Sequence, residues 1–278
     1  MMKLFHEVSQ QCSKAVTEKY STSFSSAIKL LHPDLRTPIY NIYGFVRFAD
    51  EIVDTFHQYK KEELLIEFKK ETFAAIDRGI SLNPILHSFQ ITVRDYDICR
   101  DLIESFFSSM EMDLSKTVYN SNGYKEYIYG SAEVVGLMCL YVFCEGDKNM
   151  YADLKPSAQA LGAAFQKVNF LRDVKADFEQ LNRSYFPEVD FKNFTSNMKK
   201  QIEDDINRDF ENAYEGILNL SGKARFGVYV AYKYYLSLFK KIKRTTPADI
   251  LEQRIRIPNY GKAYIVAKAG LRSQFNLY

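Results

Sequence analysis

The sequence predicts an all-α fold, and three observations carry that prediction. Gly and Pro are scarce, 12 and 7 among 278 residues, which disfavours a loop-rich β architecture. Apolar residues recur at helical spacing almost throughout, and no segment alternates convincingly as a strand would. No Ser/Gly linker, repeat or low-complexity tract divides the chain, so residues 1–278 are expected to form a single domain with ample core.

The elements follow in order. Thr37-Pro38 reads as the N-cap and first residue of a helix running to about Phe56. Asn83-Pro84 introduces a helix carrying Ile91, and Tyr96–Met112 continues in helical spacing. Gly123 precedes a strongly apolar helix over Tyr124–Cys144. Pro156 opens another that lasts to Leu181, where Asn182–Pro187 reads as a loop. Asn197–Leu220 and Lys223–Lys243 follow as helices, and Thr246-Pro247 caps a final stretch.

Composition narrows the function. Phe and Tyr number 21 and 20 while Trp is absent, so the interior is expected to be aromatic, by packing or as the lining of an apolar tunnel. A net charge of +2 excludes general nucleic-acid binding. The charge is uneven: nine Lys/Arg against Asp249 and Glu252 give residues 240–272 a charge of +7, which leaves −5 for the rest. That basic end can be a solvated face, or it can meet a diphosphate or anionic lipid. Cys12, Cys99, Cys139 and Cys144 show no CxxC pairing, as expected of reduced thiols in the cytoplasm. The N-terminus lacks the apolar core of a signal peptide. Val134–Cys144, interrupted by Gly136, is too short to span a bilayer.

Two acidic pairs stand out, Asp50–Asp54 in RFADEIVD and Asp173–Asp177 in NFLRDVKAD. On a helix each pair projects from one face. Spacing alone means little, because 35 acidic residues in 278 yield about four such pairs by chance. The neighbours decide the matter. Tyr43, Arg47, Asp50 and Asp54 share one stripe, and Gly162, Gln166, Asn169, Asp173 and Asp177 share another. Both stripes lie among apolar residues such as Val46, Val53, Phe165 and Val174. Unpaired carboxylates there are prohibitively costly, which points to a lined cavity holding cations and a diphosphate. The bland alternative is two salt-bridged surface faces, with Arg47 and Arg172 as local partners.

With these residues in place, the chain resembles the squalene/phytoene synthase family. NFLRDVKADFEQLNRSYFP and YGFVRFADEIVD are similar to that family's two aspartate-rich signatures. YSTSFSSAIKLL, YIYGSAEVVGLM and ILEQRIRIP are similar to its Ser-rich N-terminal segment, middle helix and C-terminal Arg segment, in the same order. The resemblance implies the isoprenoid synthase fold, with helices around a central hydrophobic cavity. It implies metal ligation by Asp50, Asp54, Asn169, Asp173 and Asp177, with magnesium as the ion and manganese as a substitute. Arg47 and Arg172 correspond to diphosphate contacts, catalytic together with the four aspartates. Tyr20, Ser21, Thr22, Ser23, Phe24, Tyr43, Tyr127, Gln166, Asn169 and Arg254 correspond to substrate-binding positions. For any single tyrosine, core packing is the competing reading.

Three departures from the family pattern appear: Glu51 stands where a second Asp is common, Ala176 replaces an acid, and Asn182 replaces a Gly. None removes a residue assigned to metal. The implied chemistry is head-to-head joining of two prenyl diphosphates through an allylic cation and a cyclopropane. Two C20 chains would give phytoene and two C15 chains squalene or its dehydro analogue. Ile28, one turn beyond Phe24 and smaller than a ring, favours C20 and hence no NADPH. Alternatives are a C15 synthase, a cyclase using one diphosphate, or a noncatalytic lipid-binding or assembly homologue. The expected partners are prenyl diphosphates and a peripheral membrane surface reached by the basic end. The protein is expected to be a monomer or weak dimer.

Overall fold

The structure is a computed structural model. It describes residues 2–115, 119–180, 185–187, 189, 191–252 and 254–274, and for 176–180, 192, 259, 273 and 274 only the backbone. In chain order the helices are α1 (Met2–Tyr20), α2 (Thr22–Ile28), α3 (Pro33–Asp54), α4 (Lys61–Arg78), α5 (Pro84–Asp95), α6 (Arg100–Ser115) and α7 (Ser121–Ile128). A π turn, Tyr129–Glu133, joins α7 to α8 (Val134–Cys144), and α9 (Lys148–Gln180) is the longest. After a 3₁₀ turn at Phe191–Asn193 come α10 (Ser196–Asn219), α11 (Gly222–Arg244), α12 (Pro247–Glu252) and α13 (Asn259–Gln274). No strand occurs among the described residues, so the expected all-α class holds.

Several boundaries differ from expectation, each for a local reason. α3 starts at Pro33, whose fixed φ and missing donor suit the first helical position. Pro38 lies inside the helix, where it forfeits a single backbone bond. α6 begins at Arg100 rather than Tyr96, because the chain turns through Asp97 in the left-handed region at φ 52°. α7 begins at Ser121, since Asn120 Oδ1 accepts the Gly123 N–H at 2.8 Å. α9 begins well before Pro156, because Asp147 Oδ1 accepts the N–H groups of Asn149 and Met150 at 3.0 and 2.9 Å. The final stretch is two helices, α12 and α13. Of the expected loop at 182–187, only 185–187 fall within the described residues, and they are irregular.

Two apolar clusters form the core. The first is built around Phe45, whose ring centroid lies 3.9 Å from that of Phe89 and 5.3 and 5.6 Å from those of Phe106 and Phe107. α1 lies against it through small hydroxyl residues. Ser9, Ser13 and Thr17 are fully buried, and Ser13 Oγ sits 2.6 Å from Ser88 Oγ. The second cluster joins α9, α10 and α11 around Phe170, Phe210, Tyr229 and Phe239. Val228 packs against both clusters, and a cavity opens between them.

The continuous run Ser121–Cys144 is apolar and long enough to cross a membrane, beyond the shorter run foreseen in the sequence. Half of its apolar window is buried inside the fold, and Val134, Leu137 and Met138 are fully enclosed. Its residues pack into the first cluster and line the cavity.

Candidate active site

The cavity has a volume of about 550 Å³ and a polar end and an apolar end. Helix geometry sets this gradient. On α7, the π turn and α8, Tyr127, Ser131, Val135, Cys139 and Phe143 line the wall at four-residue intervals, a stripe ~24 Å long at 1.5 Å per residue. On α9 the wall runs from Asp173 back to Leu154, or ~28 Å. On α3 it runs from Asp54 to Ile39. Carboxylates stand at one end of the α3 and α9 walls, and aliphatic and aromatic side chains fill the other end of the cavity.

Of the sequence-predicted residues, Tyr20, Ser21, Phe24, Tyr43, Arg47, Asp50, Asp54, Tyr127, Gln166, Asn169, Arg172, Asp173 and Arg254 line this cavity. Asp177 lies on α9, but its side chain is outside the described residues. Thr22 and Ser23 are not on the wall. Each helical residue turns about 100° from the last, so a seven-residue helix cannot present four consecutive side chains to one space. Thr22 points instead to α13, where its Oγ1 accepts from Lys262 Nζ at 2.7 Å. Glu51 also turns away: it pairs with Arg47 and lines a smaller neighbouring pocket with Phe48 and Phe56.

The polar end is asymmetric. Arg47 stacks 4.5 Å from the Tyr20 ring centroid, pairs with Glu51 and lies 3.7 Å from Asp50. Burial opposes its charge, but Asp50 and Glu51 outweigh it and raise the guanidinium above its ordinary pKa. Asp50 keeps 31% of its side-chain surface, since it opens to the cavity. Enclosure by protein, then Asp54, nevertheless pushes its carboxyl up to about 8. Across the cavity Asp173 is held by two guanidiniums. Arg172 Nε donates to its oxygens at 3.0 and 3.1 Å, and Arg254 Nε reaches Oδ1 at 2.7 Å.

Among the described residues, two of the cavity-lining side chains carry a buried polar atom with no hydrogen-bond partner, Asn169 Oδ1 and Arg47 Nε. Such orphans are costly unless a ligand completes them. An acceptor on the α9 stripe fits a hard cation, and a guanidinium N–H beside the acids fits a diphosphate oxygen. Among the described residues no three His, Cys, Asp or Glu side chains gather tightly enough to hold a metal by themselves. That donor set suits magnesium, which is bound by one or two carboxylates together with substrate phosphates.

Sequence reasoning missed Asp113, Ser131 and Tyr235. Asp113 is buried on α6, where it accepts from Tyr127 at 2.7 Å and Tyr119 at 3.3 Å. Burial, then Asp113, drives the Tyr127 phenol well above its ordinary pKa, so it stays a donor. An acid three residues after Met110 in an apolar helix was the available signal. Ser131 reaches the site through the π turn, and its Oγ lies 3.3 Å from Gln166 Nε2. Tyr235 stacks on Phe165 at 3.8 Å between centroids. Tyr43 packs against Phe24 at 5.0 Å, and burial pushes its phenol up to about 12.

Comparison with known proteins agrees with this geometry. Residues 17–261 match the squalene/phytoene synthase family. The chain is 27% identical to a 15-cis-phytoene synthase of a Synechocystis species, over 96% of this chain and 86% of that one. It is 26% identical to a phytoene synthase of Arthrospira platensis, over 96% and 94%. Its backbone is similar to a ligand-bound dehydrosqualene synthase, with a TM-score of 0.81 at 18% identity over 98% of both chains. That neighbour shares the all-helical fold. The chain therefore belongs to the squalene/phytoene synthase family of prenyltransferases.

Proposed function

We propose that this protein joins two geranylgeranyl diphosphates head-to-head, through a cyclopropyl diphosphate intermediate, to give phytoene, the first step of carotenoid synthesis. The observation that carries the reading is the length and polarity of the cavity. An extended C20 prenyl chain has roughly 16 carbons in line, or about 20 Å from C–C bonds of about 1.5 Å. The ~24 Å stripe from Tyr127 to Phe143 accommodates it. The relatives named as phytoene synthases support the same choice.

The residues divide the work. Asp50, Asp54, Asn169, Asp173 and Asp177 would hold magnesium, which neutralises the leaving diphosphate. Arg47, Arg172 and Arg254 offer guanidinium N–H groups to that diphosphate, and Arg172 and Arg254 exchange Asp173 for it. Phe165, Tyr235 and Phe170 present aromatic surface along the wall, where ring faces stabilise an allylic cation. The apolar wall keeps water from that cation. Ile28 and Leu31 line the cavity with aliphatic side chains, which take less of its depth than a ring would. Joining to phytoene needs no hydride, so NADPH is not required.

Incubation with C15 and C20 diphosphates, each with Mg²⁺ and with or without NADPH, tests the reading by mass analysis of the hydrocarbon. A C40 triene-centred hydrocarbon from C20 substrate, independent of NADPH, is expected. A C30 product formed in preference, or a cyclic product from one chain, would overturn it.

A further inference from the structure

Helix α13 has two apolar faces, and the fold uses only one. Ile265, Val266 and Ala269 face inward toward the second cluster. At about 100° per residue, Tyr260, Tyr264, Ala267 and Leu271 fall within about 60° of one another on the opposite side, along ~16 Å. Tyr260 is 81% exposed, Tyr264 64% and Leu271 60%, three of the largest exposed apolar side chains in the chain. Lys268 and Arg272 flank this stripe, with Lys268 Nζ 5.9 Å from the Tyr264 ring centroid. From residue 253 to the C-terminus the sequence holds five Lys/Arg and no Asp or Glu.

The helix is anchored beside the cavity mouth. Arg254 pairs with Asp173, Lys241 Nζ donates to the Arg256 carbonyl at 2.8 Å, and Lys262 Nζ donates to Thr22 at 2.7 Å. The outward stripe therefore lies next to the polar end of a cavity whose far end is apolar.

We propose that the outer face of α13 is a docking surface for an anionic phospholipid membrane, with Tyr260, Tyr264 and Leu271 inserted and Lys268 and Arg272 on the headgroups. Interfacial helices combine these features: tyrosines at headgroup depth, an aliphatic anchor, and cations beside them. A second copy of this chain is disfavoured as the occupant. A two-fold contact on this face would bring Lys268 and Arg272 of both copies together, with no acid in the segment to offset them. A membrane supplies the opposite charge. Docking there would set the mouth at the surface that carries amphiphilic, chain-bearing diphosphates. The vesicle experiment does not depend on which prenyl substrate is used.

The test is co-flotation of the full-length protein with phosphatidylcholine vesicles, with and without phosphatidylglycerol. Wild type should float with the anionic vesicles. Tyr260→Ser/Tyr264→Ser/Leu271→Ser should lose binding at all salt concentrations, while its far-UV circular dichroism and turnover of detergent-dispersed substrate stay unchanged. Lys268→Gln/Arg272→Gln should bind about thirtyfold more weakly at low salt and lose its preference for phosphatidylglycerol. Equal partitioning of the triple variant and wild type would overturn the proposal. So would a wild-type dimer that the triple substitution converts to monomer, which would assign the stripe to a second copy.

Discussion

The helices carrying the two aspartate pairs, α3 and α9, look interchangeable by spacing but differ in their balance of charge. Asp50 on α3 is short of cations: its nearest guanidinium, Arg47, is shared with Glu51 and stacked on Tyr20, and Asp50 is pushed up to about 8. Asp173 on α9 is saturated, held by both Arg172 and Arg254. The α3 side is thus completed by gaining cations. The α9 side is completed by handing its guanidiniums to an incoming anion, which frees Asp173 for metal. A metal–diphosphate ligand satisfies both needs at once, and neither half alone makes the site.

Removing either half should have the largest effect. Asp50→Asn and Asp173→Asn should each lower turnover of geranylgeranyl diphosphate with Mg²⁺ by at least about 10²–10³-fold, the loss seen when preorganised charge stabilisation is removed. Near-wild-type release of diphosphate by either variant, measured with a coupled assay, would show that its half is dispensable.

The scaffold behind the halves comes next. An added Cβ at Gly162 on α9 would lie 2.6 Å from the Ala132 carbonyl oxygen in the π turn. Backbone cannot step aside there, so Gly162→Ala should cost about 1–3 kcal/mol in urea unfolding. At Gly44 on α3 the nearest atom is Ser13 Oγ at 2.8 Å. Rotating that hydroxyl leaves Ser13 Cβ at 2.9 Å and Cα at 3.1 Å, so Gly44→Ala should also cost about 1–3 kcal/mol. A cost well under about 1 kcal/mol at either position would show that its helix is not held at these close approaches.

With divalent cations chelated, the same two Asn substitutions should move stability in opposite directions. The folded-state pKa of Asp50 is raised above its ordinary value, so the folded protein binds the proton more tightly than the unfolded chain. Stability contributed by this group is therefore lost as pH rises from about 4 to about 8. Asp50→Asn removes that loss, and its advantage over wild type should grow across this window to roughly 1–2 kcal/mol. Asp173→Asn strands two guanidiniums and should lose up to about 1 kcal/mol. A flat difference between wild type and Asp50→Asn from pH 4 to 8 would show that Asp50 is not starved of charge.

The smallest effect belongs to the C-terminal contribution. Arg254 is half exposed, so Arg254→Gln should change stability by less than about 1 kcal/mol. KM for the prenyl diphosphate should rise about tenfold, the worth of one charge-assisted contact. An unchanged KM would remove Arg254 from the site.

What could be read in advance follows from helix geometry. Tyr43, Arg47, Asp50 and Asp54 reach the cavity because a long helix fixes their common face, and the same holds for Gln166, Asn169 and Asp173. Reading failed where position depends on other segments. Thr22 and Ser23 directly follow Ser21, and consecutive helical residues turn about 100° away from a shared face. Glu51 is one residue from Asp50, hence about 100° around the helix, and serves Arg47 instead. Asp113 is a single acid whose role depends on Tyr119 and Tyr127 from later in the chain. Helix starts were misplaced toward Pro38 and Pro156 because side-chain caps such as Asp147, and a proline one turn earlier, nucleate first. The π turn that delivers Ser131 leaves no mark in the apolar periodicity around it.

The central claim is that both halves act together on one metal-bound diphosphate. Calorimetric titration of inorganic diphosphate into wild type, Asp50→Asn and Asp173→Asn, each with and without Mg²⁺, tests it most directly. The account predicts tight binding by wild type with Mg²⁺ and weak binding in every other combination. Equal affinity without Mg²⁺, or with Asp50 replaced, would contradict it.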